Sequence, residues 1–213
     1  GEVKGLFIFG EDPVRTDPNT NHVIHALESL DFFVVDELFM TETAKLADVI
    51  LPGRSYTEKE GTFSNTERRV QRVRKAIEIA GETKPDTWIF TEIMNRMGYP
   101  QPHLTPAEIM DEIASVTPSF GGISHARLDS EEVGGRGLQW PCPTADHPGT
   151  PIMHVDKFAR GLGYFRPAEY TPSMELPDDE YPLTLITGRI LYHYNACAMT
   201  DKTDGINEIA GES

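Results

Sequence analysis

The chain is poor in cysteine, in positive charge and in long apolar stretches. Its 213 residues include two cysteines, and 19 lysines and arginines stand against 34 aspartates and glutamates. Two thiols supply neither a disulfide framework nor a cysteine-rich metal site. The net charge of -15 disfavours a nucleic-acid partner, because phosphate binding needs a basic surface. No apolar run approaches the roughly 20 residues that a membrane helix needs, so no membrane segment is predicted.

The two ends of the sequence predict a piece of a longer protein. The chain begins almost directly in an apolar run, with no initiator methionine and no signal peptide, and it ends at Ser213 without an obvious stop. Two thiols fit a cytoplasmic setting, and we predict that location. The 18 glycines and 16 prolines predict long irregular connections around a modest core.

Three apolar runs, separated by short helical patterns, predict an α/β fold with half of a doubly wound, mostly parallel sheet. The predicted elements are strands at 5–9, 32–35 and 48–52, with helices at about 20–30 and 41–45. Asn19 is the expected cap of the first helix. The continuous apolar run at 32–35 indicates a strand buried on both faces.

The whole chain is predicted to contain three segments. Residues 1–116 form a Rossmann-like domain with a polar loop at 58–69, an extended stretch at 69–74, and helices at 86–97 and 106–116. Asp86 and Thr105 are the expected caps of those two helices. Residues 117–180 carry eight prolines and little periodicity, which predicts an extended linker. Residues 181–213 begin with a strand pattern and are expected to start a truncated second domain.

Acidic residues follow the first two predicted strands. Asp12 comes after Gly10, and Asp36 ends the second strand. Carboxylates cannot favour phosphate, but they accept hydrogen bonds from ribose hydroxyls or from the N1–H and amine of guanine. Adenine has no matching donor pair, so these strand ends suit a guanine nucleotide, with Asp12, Asp36 and Thr16 as candidates. The alternative is that Glu11 or Asp12 caps a turn before Pro13.

An ordered set of motifs runs through essentially the whole chain. They are GEDPVRTD at 10–17, DELFMTETAKLADVILP at 36–52, EGTFSNTERRVQ at 60–71, MGYP at 97–100, QWPCP at 139–143 and TGRILYHY at 187–194. In this order the set resembles the molybdopterin oxidoreductase family, and within it the catalytic (alpha) subunit of formate dehydrogenases.

That resemblance implies a bis(molybdopterin guanine dinucleotide) cofactor carrying molybdenum or tungsten. It places the guanine end at Gly10, Glu11, Asp12, Thr16, Asp36 and Gly53. It places pterin contacts at Gly188, Arg189, His193 and Asn195, at the start of a carboxy-terminal β-barrel domain. The catalytic Cys or Sec with its histidine, and a [4Fe–4S] cluster, are expected outside this sequence. No catalytic residue and no metal ligand is therefore predicted here, Cys142 and Cys197 included.

The implied activity is oxidation of formate to carbon dioxide, or the reverse, by the full-length chain, and this part alone is expected to be inactive. Electron-transfer subunits, ferredoxin, NAD(P) or F420-type modules are the expected acceptors. Two alternatives stay open. One is another enzyme of the superfamily, of the nitrate reductase or formylmethanofuran dehydrogenase type. The other is a non-catalytic module like the large iron–sulfur subunit of respiratory complex I.

Three further clusters have an ordinary and a functional interpretation. His22 and His25 lie one helical turn apart, but no third metal ligand is near in sequence, which favours surface histidines. A basic run at 68–75 could attract formate or a partner subunit, and a solvated face is the simpler prediction. Asn65 and Glu67 either order their glycine-bearing loop or touch a cofactor.

Overall fold

A computed structural model describes residues 2–78, 81–158 and 160–210. The chain divides into two units, Gly1–Met153 and His154–Ser213. The first unit holds two three-stranded sheets and their helices. The second unit holds short helical segments joined by irregular chain.

The first sheet is parallel, as the apolar runs predict. Its strands are β1 (Gly5–Phe9), β2 (Phe32–Glu37) and β3 (Val49–Pro52), in the order β1-β2-β3. Phe9 lies beside Asp36, and Asp36 lies beside Leu51, so all three carboxyl ends meet at one edge. This strand order has no reversal among the described residues, so the doubly wound arrangement stays a prediction.

Helices lie on both faces of the parallel sheet. A short helix, α1 (Pro13–Thr16), leads into α2 (Thr20–Glu28), where the Asn19 side chain accepts the backbone N–H of His22 as predicted. α2 packs its apolar side on Phe33 and Val35. The opposite face meets α3 (Asp86–Arg96), whose Phe90 ring lies 5.7 Å from Phe7 and 5.4 Å from Phe9.

The prediction that residues 32–35 are buried on both faces is wrong for this chain. Phe33 is 1% exposed and Val35 is fully buried, but Phe32, on the opposite side of the strand, is 53% exposed. Side chains alternate between the faces of a strand, and the face toward α2 is closed along the whole run. The face toward α3 is exposed at Phe32, half-buried at Val34 and buried only at Asp36, so the strand is closed on both faces only at its carboxyl end.

The second sheet is antiparallel. Its first strand lies within residues 58–69, where the sequence predicts a polar loop, so that prediction is wrong for the strand. Its strands are β4 (Gly61–Ser64), β5 (Arg69–Val73) and β6 (Leu138–Gln139), in that order. The extended stretch predicted at 69–74 is confirmed as β5. Asn65 closes the β4–β5 hairpin, because its side-chain oxygen accepts the backbone N–H groups of Glu67 and Arg69. Asn65 therefore orders its loop through these contacts, which is one of the two roles considered for it from the sequence.

Two longer helices follow the hairpin as predicted. α3 is joined by α4 (Pro106–Val116), which begins with a capping box between Thr105 and Glu108. The expectation that Asp86 caps α3 is wrong, since Pro85 holds the cap position and Asp86 is the first helical residue. The Asp86 carboxylate pairs instead with the ammonium group of Lys59.

Residues 117–153 pack within the first unit and do not form the start of an extended linker. They include the short helix α5 (His125–Leu128) and β6. Their buried side chains join Val70 and Met110 in one apolar cluster, whose members from this segment are Ile123, Leu128, Val133, Leu138 and Cys142. The Arg127 guanidinium donates to the carbonyls of Gly122 (2.8 Å) and His147 (2.6 Å). Isolated apolar residues and backbone hydrogen bonds hold this segment, which is why it shows no periodicity.

The second unit contains a 3₁₀ turn (Thr200–Lys202) and a short helix, α6 (Asp204–Ile209). Residues 181–189, predicted to begin a strand, form bends and irregular chain. The barrel beginning at residue 181 therefore stays a prediction. Among the described residues of both units, no helix combines the length and apolar character required to cross a membrane.

Candidate functional site

Asp36 lies at the carboxyl edge of the parallel sheet, on the face toward α3. The residue is 2% exposed, and its Oδ2 atom has no hydrogen-bond partner among the described residues. A buried carboxylate oxygen without a donor is costly, because the lost hydration is not replaced. Asp36 is therefore an acceptor that the described chain leaves unsatisfied.

Burial and neighbouring charges perturb the ionisation of Asp36. Burial raises the pKa of its carboxyl to about 6, and the negative charge of Asp86 adds to the rise. The Lys59 ammonium opposes that rise, and Glu37 contributes to it. Ionised carboxyls accept hydrogen bonds and protonated ones also donate, so these neighbours determine which donors Asp36 can bind.

Gly53 makes room for the Asp36 carboxylate. It follows β3, and its backbone N–H donates to the carbonyl of Glu37 (3.2 Å). A Cβ at this position would stand 2.7 Å from the Asp36 Oδ1 atom. A side chain at residue 53 would have to displace the Asp36 carboxylate, whereas the backbone angles of Gly53 do not by themselves demand glycine.

Asp12, the other candidate acid, is satisfied by the chain itself. Its Oδ1 accepts the Thr43 hydroxyl (2.6 Å) and the Thr43 backbone N–H (3.1 Å). The same hydroxyl accepts the backbone N–H of Val14 (3.1 Å). Asp12 and Thr43 thus join the loop after β1 to the loop after β2. Asp12 stands at the start of α1 but makes no side-chain cap there.

The other predicted residues of this edge differ in burial. Gly10 turns the chain at a positive φ of 61° and donates to the carbonyl of Asp36 (2.9 Å). Glu11 and Thr16 are exposed. Glu37, which was not a predicted site residue, is buried on the α2 face, and burial raises its pKa. The edge therefore presents one acid on each face of β2.

The four predicted pterin contacts lie in the second unit. Arg189 donates to the Asn195 side-chain oxygen (2.6 Å), so the structure brings these two together. His193 uses both ring nitrogens within the unit, toward the Thr200 hydroxyl (3.0 Å) and the Ala210 carbonyl (3.1 Å). Gly188 has open space where a Cβ would stand. Asn195 has a positive φ of 48°.

Sequence comparison adds a family to this geometry. Residues 1–96 match the sequence model described as Molybdopterin oxidoreductase. Residues 1–96 therefore carry a molybdopterin oxidoreductase domain. The predicted resemblance is thereby confirmed, and the matched region contains both sides of the strand edge that carries Asp12 and Asp36.

Curated relatives in the molybdopterin oxidoreductase family are named formate dehydrogenase subunits. The chain is 52% identical over 213 residues to the F420-dependent formate dehydrogenase 2 subunit alpha of Methanococcus maripaludis, covering 98% of this chain and 31% of that protein. It is 44% identical over 214 residues to the F420-dependent formate dehydrogenase subunit alpha of Methanocaldococcus jannaschii, covering 99% and 31%. The chain thus spans about a third of the length of these relatives.

Among solved structures, acetylene hydratase from Pelobacter acetylenicus is similar with a TM-score of 0.48 and 25% identity. That match covers 58% of this chain and 17% of the acetylene hydratase chain.

The strand edge offers an acceptor for a ligand with hydrogen-bond donors, and the matched family model implies a molybdopterin cofactor. Asp36 supplies a buried acceptor that lacks a donor, and Gly53 leaves the adjacent space clear of a side chain. No three histidine, cysteine or acidic side chains in the described part of the chain are grouped so as to hold a metal ion. His22 and His25 are exposed on α2.

The basic run that precedes α3 is paired within the chain. Arg68 donates to the carbonyls of Trp140, Thr150 (3.0 Å) and Pro151 (3.1 Å). Arg72 and Arg74 both bind Asp129. These contacts connect β5 to the segment after α5, so the run has a structural role that needs no ligand.

Sequence reasoning missed three residues of the strand edge: Thr43, Lys59 and Asp86. Thr43 was placed in a short helix, Lys59 in a polar loop and Asp86 at a helix cap. Each reaches its partner across 27 or more positions of sequence. Periodicity describes neighbours along the chain, so it carries no signal for such pairs.

Proposed function

We propose that this chain is the part of a formate dehydrogenase alpha subunit that holds a guanine nucleotide arm of the molybdopterin cofactor. The observation that carries the proposal is the Asp36 carboxylate. It is buried at the carboxyl ends of parallel strands, and one of its oxygens lacks a donor among residues 2–78, 81–158 and 160–210. Ligands of open parallel sheets bind outside these ends.

The residues of the first unit suit the base and the sugar. Asp36 accepts the donors of the guanine edge, and Glu11 and Thr16 stand exposed for sugar hydroxyls. Asp12 holds the two loops in position, Gly10 keeps the backbone open to the nucleotide, and Gly53 leaves room for the Asp36 carboxylate. Phosphate groups would be bound by backbone N–H groups, because acids repel them.

The residues of the second unit suit the pterin. Arg189 and Asn195 form a hydrogen-bonded pair that can bind polar pterin atoms, with Gly188 beside them and His193 in the same segment. The proposed cofactor is the bis(molybdopterin guanine dinucleotide) form with molybdenum or tungsten. Its metal ligand and the [4Fe–4S] cluster are proposed to lie elsewhere in the full-length chain. When bound, the metal and pterin supply the two-electron chemistry.

The proposed substrate is formate, with carbon dioxide as product, or the reverse. The names of the relatives support formate over nitrate or formylmethanofuran, and an F420-type acceptor over ferredoxin or NAD(P). Electron-transfer subunits would receive the electrons, and the proposed location is the cytoplasm. The complex I-type module remains as the non-catalytic alternative.

Formate-dependent viologen reduction by the full-length protein, purified anaerobically, tests the activity. We expect reduction together with bound molybdenum or tungsten. Metal without formate-dependent reduction would point to another substrate in the family. Absence of both metal and reduction would favour the non-catalytic module.

Asp36→Ala tests the nucleotide site separately. We expect lower cofactor occupancy with nearly unchanged activity per bound metal, because Asp36 binds the nucleotide and lies outside the chemistry. Loss of a charged hydrogen bond corresponds to about 1.5–3 kcal/mol of binding free energy. Asp31→Ala is the matched control, since Asp31 is an exposed acid at the opposite end of β2. Full cofactor occupancy in Asp36→Ala would refute the site.

A further inference from the structure

Lys59 lies in the connection between β3 and β4, and hydrogen bonds fix that connection near the strand edge. The Ser55 backbone N–H donates to Glu58 (3.0 Å). The Thr57 carbonyl accepts the backbone N–H groups of Ala76 (2.8 Å) and Ile77 (3.1 Å). The loop that carries Lys59 is therefore held by its own turn and by the chain after β5.

The partner of Lys59 is also held in place. Asp86 is the first residue of α3, where the helix dipole favours a carboxylate. The chain before α3 is tied to the end of β3, since the Lys84 N–H donates to the Pro52 carbonyl (3.2 Å) and Arg54 donates to the Thr83 carbonyl (3.2 Å). Both members of the ion pair thus stand on connections anchored to the same edge of the sheet.

The Lys59–Asp86 pair is only partly shielded from solvent. The Lys59 side chain is 24% exposed and the Asp86 side chain is 20% exposed. Both residues line a cavity of about 620 Å³ together with Trp88, His103 and Met110. The ion pair can therefore be reached from solvent through this cavity.

Three charged groups stand around Asp36. The Oδ1 atoms of Asp36 and Asp86 lie 2.7 Å and 3.4 Å from the same point, where a Cβ at residue 53 would stand, and Lys59 pairs with that Asp86 carboxylate. Glu37 is the next residue of the same strand, and all three charges act on the ionisation of Asp36. Two of the three are acids, and Lys59 is the one cation that acts on Asp36 among the described residues. A carboxylate surrounded by acids takes up a proton unless a cation compensates.

We infer that Lys59 is a positioning residue that keeps the Asp36 carboxylate in its hydrogen-bond-accepting form for the nucleotide. The inference rests on the proposed function, because only a ligand with paired donors requires an ionised Asp36. A protonated Asp36 would direct an O–H group at the N–H groups of guanine. Lys59 thereby makes nucleotide retention persist to a lower pH than the acids alone would allow.

A simpler role for Lys59 is to join α3 to the β3–β4 connection. Under that role, loss of either partner breaks the same ion pair and weakens retention at every pH. Under the positioning role, the two partners have opposite effects on Asp36. Removing Lys59 makes Asp36 easier to protonate, and removing the Asp86 charge makes it harder to protonate.

The test compares Lys59→Met, Asp86→Asn and Lys59→Arg in the cofactor-loaded full-length protein. Each variant is equilibrated across pH 5–8 and separated from released cofactor, and the guanosine monophosphate liberated by hydrolysis is counted per polypeptide. We expect the pH of half-retention to rise by about one unit in Lys59→Met and to fall in Asp86→Asn. Lys59→Arg keeps the charge and should return the wild-type midpoint.

Shifts in the same direction for Lys59→Met and Asp86→Asn would overturn the positioning role. Unchanged midpoints in both would also overturn it. Asp36→Asn separates this failure from failure of the proposed function. If the loaded wild-type protein releases no guanosine monophosphate, or if Asp36→Asn retains it fully at every pH, the nucleotide site itself is wrong.

Discussion

The parallel sheet carries two buried acids at neighbouring strand ends, and the chain treats them differently. Asp12 receives two hydrogen bonds from Thr43, which itself is fully buried. Asp36, one strand away, has an oxygen with no donor in the described part of the chain and a pKa raised to about 6. One acid therefore completes the fold, and the other keeps hydrogen-bonding capacity for something else. Burial alone does not distinguish a carboxylate with a structural role from one that is available to a ligand. The hydrogen-bond donors that each carboxylate receives from the protein do distinguish them.

The largest expected effect comes from the satisfied acid. Asp12→Ala should lower the local opening free energy of β1 and β2 by about 2–3 kcal/mol, because it leaves two buried Thr43 donors unpaired. Amide hydrogen exchange of residues 5–9 and 32–37 in the cofactor-depleted full-length protein measures this change. Glu11→Ala, at the exposed neighbour, should stay within about 0.5 kcal/mol. Equal effects of the two variants would contradict a structural role for Asp12.

An intermediate effect is expected at the glycine beside the unsatisfied acid. Gly53→Ala places a methyl group against the Asp36 carboxylate and should cost about 1–2 kcal/mol of local stability. In an Asp36→Ala background the same change should be nearly neutral, because the carboxylate is gone. Hydrogen exchange of β2 in the single and double variants measures the coupling. A cost that persists in the double variant would mean that the backbone, rather than Asp36, excludes a side chain at residue 53.

A third effect, which depends on pH, is expected at Asp36 itself. The folded pKa of about 6 lies above the ordinary value of 3.8, so between these values the folded state holds a proton that the unfolded state releases. Raising the pH through this window should therefore lower the stability of the cofactor-depleted protein. Asp36→Asn should remove this slope, so its gain in stability over the wild-type protein grows as the pH rises through the window. Hydrogen exchange of β2 at pH 4–7, corrected for intrinsic rates, measures it, and Asp31→Asn should keep the wild-type slope.

Local sequence patterns were enough to predict the parallel sheet and the helices beside it. The apolar runs of β1, β2 and β3 and the periodic patterns of α2, α3 and α4 all lie within short windows. The β4 strand was missed because Gly61–Ser64 is short and polar, and it is ordered by pairing with β5. The packing of residues 117–153 was missed because Arg127 holds that segment through backbone carbonyls. Such contacts impose no repeat on the sequence.

The candidate site was predictable to the same extent. Asp36 was identified as a strand-end acid, since its position follows from the apolar run before it. The difference between Asp36 and Asp12 could not be predicted, because it depends on Thr43, 31 residues from Asp12. The charge balance at Asp36 depends on Lys59 and Asp86, which meet across 27 positions. Contacts between residues far apart in the sequence determine which acid is available to bind a ligand. Local patterns in a single sequence do not reveal such contacts.

The close approach of Gly53 to Asp36 has a consequence for evolutionary variation. A carboxylate at position 36 and any side chain at position 53 compete for the same space, because a Cβ at residue 53 would stand 2.7 Å from the Asp36 Oδ1 atom. Substitutions at these positions should therefore be correlated among relatives. Lineages that keep an acid at position 36 should keep glycine at position 53, and a larger residue at position 53 should accompany a smaller or displaced side chain at position 36. Correlated substitution at positions 36 and 53 would therefore be the evolutionary result of one steric contact.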